Sequence, residues 1–501
     1  MIGLLLVLIL IVSVVQFVRF RRATSFARNL PSVEPCYPII GNALLFLGQS
    51  DEKRFLNVIR ASSNPAKLFK LWIGFVPVVC TNDPDTVQKI LNHPDCMDKP
   101  YFYDFFKLDF GLITARYDIW KGQRKALNPT FNRKLIDGFI TIFATCSQNL
   151  VERLTDHESV RLTPFLQKCT LEMICATTIG TDINRQQGVE NLSRKVDEIF
   201  HLVSRRILSI FAHSDRFYRL TKNYGVEEGL RNEVLFYGNQ IVRQVKTQKQ
   251  TEPSSAENRN DDKIRKPQIF IDQLLNSQSG KKFDEIEIIH NMYTIIVAGS
   301  GTTETQMSLI ALLLAIYPDM QEKVYEEIMT VFPGNSDPSI TPDSIKQLQY
   351  LDMFVKECSR LFPVVPHILR TPIKDVDLDG LIVPKGAFLC ISIFNIHRRK
   401  DVWGPNADKF DPENFSPECI EGRHPFAFLP FSGGPRNCIG ARYAMVALKI
   451  MTIYLVRTFK IRTKARFEDL SFKYDVLLKL STEPEITLER RTTSVQNHGG
   501  N

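Results

Sequence analysis

From Phe283 to Tyr317 no residue forbids a helix, and Pro318 ends the run. At about 1.5 Å per residue such a helix is roughly 50 Å long, the full width of a domain. Between Tyr293 and Ile316 it is apolar nearly all round. A helix without a polar face has no side to turn to water, so this one is predicted to be central and buried. Its middle reads Ala298-Gly299-Ser300-Gly301-Thr302-Thr303. Two glycines in a helix interior cost about 1 kcal/mol each relative to alanine. That cost is kept where something approaches the backbone closely. A kink or a tight helix crossing is the plainer reading of the same residues.

The rest of the chain follows this lead. Residues 50 to about 250 read as mostly helical, with strand-like stretches near Leu68–Cys80. Ser344 to Phe362 reads as one helix stopped by Pro363, and Ala441 to Val456 as another. Asp379-Gly380, Pro384 and Lys385-Gly386 punctuate short strands in a hairpin. Residues 249–267 are polar and charged, a surface loop. There are no internal repeats. The pattern is therefore mostly helical, with a few short strands. A length of 501 residues fits two to four domains or one large α-rich unit. With 44% apolar and 24% charged residues, global disorder and collagen-like architectures are excluded. Lys and Arg number 63 against 55 Asp and Glu, a net +8. Spread over this length, that charge argues against nucleic acid and for an acidic protein partner or anionic lipid.

Residues 2–18 are almost wholly apolar and end directly in Arg19, Arg21 and Arg22. At about 1.5 Å per residue the run spans roughly 25 Å, enough for a thin bilayer such as the endoplasmic reticulum. A cleaved signal peptide has a shorter core and a small-x-small cleavage site. The reading is a retained N-terminal transmembrane helix with the bulk of the chain on the cytosolic side. Residues 19–48, with Pro31, Pro35, Pro38 and Gly41, form a basic, proline-rich linker. Residues 49–488 are then the main folded domain and 489–501 a flexible tail. None of the ten cysteines forms a CxxC, and no zinc spacing is present, so a bound metal must come inside a cofactor.

Phe431-Ser432-Gly433-Gly434-Pro435-Arg436-Asn437-Cys438-Ile439-Gly440 is the most specific segment. It is a tight loop that presents one cysteine at the start of a helix. The helix N-terminus and nearby Arg436 both favour a thiolate. A lone cysteine so placed is compatible with a nucleophile, a redox sensor, a metal ligand or a bland buried thiol.

Other segments narrow this. F-x-x-G-x-R-x-C-x-G resembles, without a missing position, the haem-thiolate loop of the cytochrome P-450 family. Glu357-Cys358-Ser359-Arg360 resembles its E-x-x-R, whose spacing puts both charges on one helical face. Trp120-Lys121-Gly122-Gln123-Arg124 resembles its W-x-x-x-R, Phe410-Asp411-Pro412-Glu413-Asn414-Phe415 its F-x-P-x-R-F, and AGSGTT its oxygen-activating A-G-x-D/E-T-T. These occur in the family's order from residue 1 to about 488. His397-Arg398 with the FDPENF and FSGGPRNCIG segments looks most like the insect-like clan that includes the fatty-acid ω-hydroxylases.

The resemblance implies a P-450 fold, mainly α with a small β-rich lobe near the amino terminus, with residues 49–488 as the haem-thiolate catalytic domain of a membrane-bound monooxygenase. It implies haem b, O2, and electrons from NADPH through a flavoprotein reductase, with a cytochrome b-type protein as a further donor. The substrate would be an apolar small molecule: a fatty acid, hormone or xenobiotic. Cys438 would be the thiolate ligand of the iron. Trp120, Arg124, Arg370 and Arg436 would meet the haem propionates, Phe431 would pack near the sulfur, and Glu357 and Arg360 would be structural. Phe105, Phe106, Leu112, Ala298, Thr302, Val365, Ile368 and Val476 would line the pocket. Lys121, Lys125, Arg133, Lys134, Arg442 and Lys449 would face the reductase.

Three departures stand out. Gly301 replaces the acid that helps relay protons in the family, while Thr302 is kept. Glu304, three residues on, could substitute through water, but the preferred expectation is direct solvent relay through the room Gly301 leaves. Ala298 replaces a glutamate that some clan members bond to haem, which implies non-covalent haem. Asn414 replaces an arginine and weakens the Glu–Arg–Arg network. A haem-thiolate isomerase or dehydratase acting on peroxides, and a non-catalytic haem or ligand binder, are the alternatives.

Overall fold

A computed structural model describes residues 15, 18, 21, 24–37, 40–73, 76–180, 192–251, 269–275, 281–334 and 336–491. The expected anchor, residues 2–18, lies outside these except for positions 15 and 18. Among the described residues no helix is long and apolar enough to cross a membrane. Most of the expected loop at 249–267 and the tail beyond residue 491 also lie outside.

The helices that frame the site are α1 (Pro84–Asn92), α2 (Tyr117–Leu127), α3 (Ile140–Leu154), α4 (Thr163–Thr178), α5 (Leu192–Ile207), α6 (Lys222–Thr251), α7 (Glu285–Ile316), α8 (Gln349–Leu361) and α9 (Ala441–Thr458). The strands are β1 (Phe69–Ile73), β2 (Val76–Thr81), β3 (Ser159–Val160), β4 (His367–Arg370), β5 (Val376–Leu378), β6 (Leu381–Val383), β7 (Phe388–Ser392), β8 (Phe459–Arg462), β9 (Phe472–Asp475), β10 (Leu477–Leu480) and β11 (Ile486–Arg490).

The long apolar run is the single helix α7. A capping box starts it: the Glu287 N–H donates to Asp284 Oδ1 at 2.8 Å, and the Asp284 N–H to Glu287 Oε2 at 3.2 Å. Its flanks pack on α4, α5, α6, α8 and α9, so it is buried from several sides. The two glycines answer different needs. A methyl group at Gly299 would come within 2.8 Å of Ile174 Cγ1 on α4, so this glycine permits a tight helix crossing. A methyl group at Gly301 would find nothing nearer than Leu477 Cδ1 at 4.0 Å.

The main sheet runs β1-β2-β7-β4. β2 and β7 pair in parallel, Val78 with Phe388 through Thr81 with Ile391. A parallel pair needs a crossover, and here the helical body of the molecule is that crossover. The β-rich lobe therefore draws two of its four strands from the second half of the chain. β5 and β6 form the hairpin expected around Asp379-Gly380.

Two boundaries differ from expectation. Ser344–Phe362 is not one helix: Pro342–Gln347 is a short helix capped by Thr341, and α8 begins only at Gln349. Leu348 between them leaves helical geometry, with ψ 76°. The tail begins later than residue 489, because Glu489 and Arg490 pair with Lys460 and Phe459 inside β11.

Candidate active site

The Cys438 loop is closed by the Cys438 N–H donating to the Phe431 carbonyl at 2.9 Å. Ser432 and Gly434 take positive φ, 61° and 67°. At Gly434 a side chain would also collide with the backbone of Leu91 at the end of α1, so conformation and space both require glycine. The loop then delivers Cys438 just ahead of α9, where its sulfur is 3.8 Å from where a Cβ on Gly440 would be. The thiol keeps accessible surface, yet protein around it is dense enough for burial to be the largest influence and to raise its pKa. Cys438 is nonetheless an exposed residue, so a ligand can approach it from the loop's outer side. A hydrogen bond from the Gly440 backbone and the Arg124 guanidinium draw the pKa back down. Arg124, not Arg436, is thus the cation that acts on the sulfur. A coordinated metal would deprotonate such a thiol outright.

Arg124 lies on α2 and forks onto Asn437 of the same loop, with Nη1 to the carbonyl at 2.7 Å and Nη2 to Oδ1 at 2.8 Å. Arg436 turns the other way. Its Nη1 and Nη2 donate to the Met97 and Ala115 carbonyls, both at 2.8 Å, and its guanidinium lies 4.8 Å from the centre of the Trp120 ring. Arg370, on β4, is 3% exposed and donates to the Leu369 carbonyl at 3.0 Å. The sequence reading missed a third cation here. Lys99 donates to the Ile113 carbonyl and sits 4.5 Å from the Tyr103 ring centre. Burial, then Arg436 and Arg370, press its pKa well down. Arg436 is lowered to about 9, by burial first and Arg370 second.

Among the described residues no ion pair joins Lys99, Arg370 or Arg436 to a carboxylate. Asp98 acts on Arg436, but one oxygen of that carboxylate is taken by the Tyr117 N–H at 2.6 Å. Enclosed cations that repel one another without a paired anion constitute an anion site. Together with an accessible thiol, they fit a metal cofactor that carries acidic groups.

Behind the loop, Glu357 and Arg360 of α8 are both fully buried and meet in a fork, Nε to Oε2 at 2.6 Å and Nη2 to Oε1 at 2.7 Å. The remaining donors of Arg360 reach the carbonyls of His397 (2.7 Å), Ala407 (2.6 Å) and Lys409 (3.0 Å), so it organises the irregular chain that precedes the loop. Asn414 keeps part of the lost arginine's role by donating to Glu357 Oε1 at 3.1 Å.

On α7, the Thr302 hydroxyl donates to the Ala298 carbonyl at 2.6 Å. Glu304 is buried, and burial raises its carboxyl to about 8. Gly301 and Glu304 share one small cavity with Ser300, Asp197 and Leu477. This cavity and a second one on α7, between Val234 and Tyr293, contain none of the eight expected pocket-lining residues. Phe105 is instead covered by the Arg206 guanidinium at 4.1 Å, and Phe106 packs edge-on to Phe200 at 5.5 Å.

Of the expected reductase-facing cations, Lys121, Lys125, Arg133, Lys134 and Arg442 are exposed. Lys449 is not. It is 8% exposed and paired with Asp352 of α8 at 2.6 Å, which removes it from that surface.

Comparison with known proteins agrees with this geometry. The family profile described as cytochrome P-450 matches residues 31–487. Cytochrome P-450 4c21 of Blattella germanica is 29% identical over 483 residues, 94% of this chain and 95% of that one. Cytochrome P-450 4c3 of Drosophila melanogaster is 31% identical over 488 residues, 94% of this chain and 91% of that one. Cytochrome P-450 4V2 of Mus musculus is 30% identical over 488 residues, 95% and 92% respectively. With a thiol-bearing loop, an enclosed cation cluster and a profile match over most of its length, the chain belongs to the cytochrome P-450 family of haem-dependent monooxygenases.

Proposed function

We propose that this P-450 oxidises an apolar small molecule (a fatty acid, hormone or xenobiotic) at the endoplasmic reticulum membrane. Residues 2–18 anchor it, and the catalytic domain faces the cytosol. Electrons come from NADPH through a flavoprotein reductase, with a cytochrome b-type protein as second donor. The observation that carries the reading is the presence together of Cys438, an exposed residue of its loop, and the cations Lys99, Arg370 and Arg436, which among the described residues form no ion pair with a carboxylate.

Cys438 would hold the iron of haem b, and Arg124, Arg370, Arg436 and Lys99 would receive its acidic groups, with the Trp120 ring against the Arg436 guanidinium. When bound, haem activates O2 and inserts one oxygen atom into a C–H bond. The chain's own part is to orient, exclude water and move protons. Arg124 holds the thiol loop through Asn437 and lowers the sulfur's proton affinity. Thr302 offers a hydroxyl on α7, where it donates to the Ala298 carbonyl. The apolar face of α7 excludes bulk water from the reacting centre.

The test is spectral. The reduced CO complex of the wild type should have the thiolate-type spectrum. Cys438→Ala should abolish it and Cys438→His should convert it to the imidazole type, while Cys358→Ala and Cys419→Ala leave it unchanged. A thiolate spectrum that survives in Cys438→Ala ends the assignment. Deleting residues 2–22 should release the protein from microsomes without loss of haem.

A further inference from the structure

The two glycines of α7 have unlike surroundings, and only one is explained by packing. Ile174 fills the space at Gly299, while the space at Gly301 opens on a cavity. Measured by the centres of water molecules, the cavity is about 20 Å³. Roughly 10–15 Å³ by that measure holds one water, provided polar partners are present. They are: Gln167 of α4, Asp197 of α5, and Ser300 and Glu304 of α7 line it, with Leu477 of β10 opposite.

Glu304 is 3% exposed. Among the described residues its one hydrogen bond is a long one, from the Thr305 hydroxyl at 3.4 Å. A carboxylate so placed lacks the donors that normally hold it charged. Asp197 differs. It accepts from Gln167 Nε2 at 3.0 Å and pairs with Lys479 at 2.6 Å, and both members of that pair reach the surface. The cavity lining therefore joins a buried acid, Glu304, to a more exposed one, Asp197, which is held by Lys479 beside the cavity. Thr302 sits two residues before Glu304, about 200° round the helix, on the opposite side. Gly301 lies between them and has no side chain to block water moving past α7.

We propose that Glu304 is the proton reservoir of this enzyme. It replaces, one turn along α7, the acid missing at position 301, and it works through water held in the Gly301 cavity. This rests on the haem-thiolate monooxygenase reading. Glu304 gives its proton to cavity water, which passes it beside Gly301 toward the Thr302 hydroxyl. The carboxylate left behind takes a proton from solvent entering at Asp197 and Lys479, so no proton is lost or gained over the cycle. This differs from the direct solvent relay expected from the sequence. The groups that face the carboxyl agree with storage of the proton. Burial raises its pKa most, Lys479 lowers it, Asp197 and Glu483 raise it, and Thr305 lowers it slightly, to a result of about 8.

Infrared titration of the holoenzyme tests the storage directly. The wild type should show a buried carboxylic-acid carbonyl band that disappears with a midpoint near pH 8 and is absent from Glu304→Gln. Glu304→Gln should keep the thiolate CO spectrum and the substrate-binding shift. Its product per NADPH consumed should fall about tenfold, with hydrogen peroxide released instead, and Glu304→Asp should recover part of the loss. In the wild type that ratio should fall above pH 8, and in Glu304→Gln it should be flat with pH. Gly301→Val, which fills the water space while leaving Glu304 in place, should uncouple as strongly. The inference is overturned if the acid band persists in Glu304→Gln, or if that variant couples as well as wild type. Absence of a thiolate CO spectrum in the wild type would overturn the monooxygenase reading instead, and the infrared band would still report whether Glu304 holds a proton.

Discussion

The Leu429 backbone N–H donates to His397 Nε2 at 2.7 Å, while His397 Nδ1 lies 3.0 Å from the Arg360 carbonyl. Because Nε2 accepts, the ring proton is assigned to Nδ1, and a neutral imidazole satisfies both ends of the bridge. This histidine ties the buried Glu357–Arg360 fork to the chain that enters the Cys438 loop. The sequence marked it only as part of an HR pair. Burial presses its pKa down to about 3. The unfolded ring takes up a proton below about 6.5 and the folded ring does not, so stability present above pH 6.5 is lost as pH falls toward 3. His397→Ala should cost roughly 2–4 kcal/mol, since it leaves two buried backbone groups unpaired. It should also flatten the acid limb of the stability profile in urea melts. An acid limb unchanged in His397→Ala would assign the loss to other groups, His367 first, which burial lowers to about 4.

Lys99, Arg370 and Arg436 repel one another in the protein alone, and under the proposed function they would jointly attract the acidic groups of haem. Removing one should therefore act in opposite senses on the two forms. Lys99→Met should raise the melting temperature of the haem-free protein by a degree or more, because a like charge leaves an enclosed cluster. It should speed haem loss to an excess of haem acceptor several-fold. If haem dissociates from Lys99→Met no faster than from wild type, Lys99 has no part in holding it.

Under the proposed function, a reductase with an acidic docking surface would meet the exposed cations of α2. Lys121 and Lys125 are exposed on α2, whereas Lys449 is paired with Asp352. Charge reversal at Lys121 and Lys125 together should slow the first electron transfer several-fold at low ionic strength and leave substrate binding intact. Lys449→Glu should instead place two carboxylates together in the interior. That costs roughly 3–5 kcal/mol, seen as loss of folded protein rather than as a slower reduction rate. Stopped-flow reduction separates the two effects, and an unaffected rate in the Lys121/Lys125 variant removes this face from the docking model.

These cases show where the sequence stops being legible. Arg442 and Lys449 are seven residues apart, two turns of α9, so periodicity puts them on one face. Only the packing of α8 over the second of them, with Asp352 above it, separates an exposed cation from a buried one. Gly299 and Gly301 look equivalent in the sequence, but Ile174 from α4 reaches one and not the other. Lys99 belongs to no motif or period, and only the arrival of Arg370 and Arg436 from distant segments gives it a role. The thiol loop was legible because its constraints are local: a positive φ at Gly434, a single cysteine, and a helix directly after it. The long helix was legible because an all-round apolar surface admits only burial. Contacts between segments hundreds of residues apart, such as β2 with β7, leave no local trace beyond strand-like composition.

Glu304 makes a prediction that needs no turnover. Its carboxyl ionises at an ordinary value of 4.5 when unfolded and at about 8 when folded. Between those values the folded protein holds a proton that the unfolded chain has released. The folded state therefore loses stability as pH rises from about 4.5 to about 8, and no further beyond it. The ceiling on this loss is roughly 5 kcal/mol, and relaxation or water entry lowers it. His397 acts with the opposite sign below pH 6.5, so the wild-type profile alone mixes the two. The difference between wild type and Glu304→Gln isolates the carboxyl, because the amide cannot ionise and every other group is shared. Denaturant melts at a series of pH values should show Glu304→Gln gaining on wild type steadily from pH 5 to pH 8, by about 2 kcal/mol or more in total. A difference that stays constant across that range means the carboxyl is ionised in the folded protein at neutral pH, and a group already ionised cannot store the proton that the cavity at Gly301 was inferred to deliver.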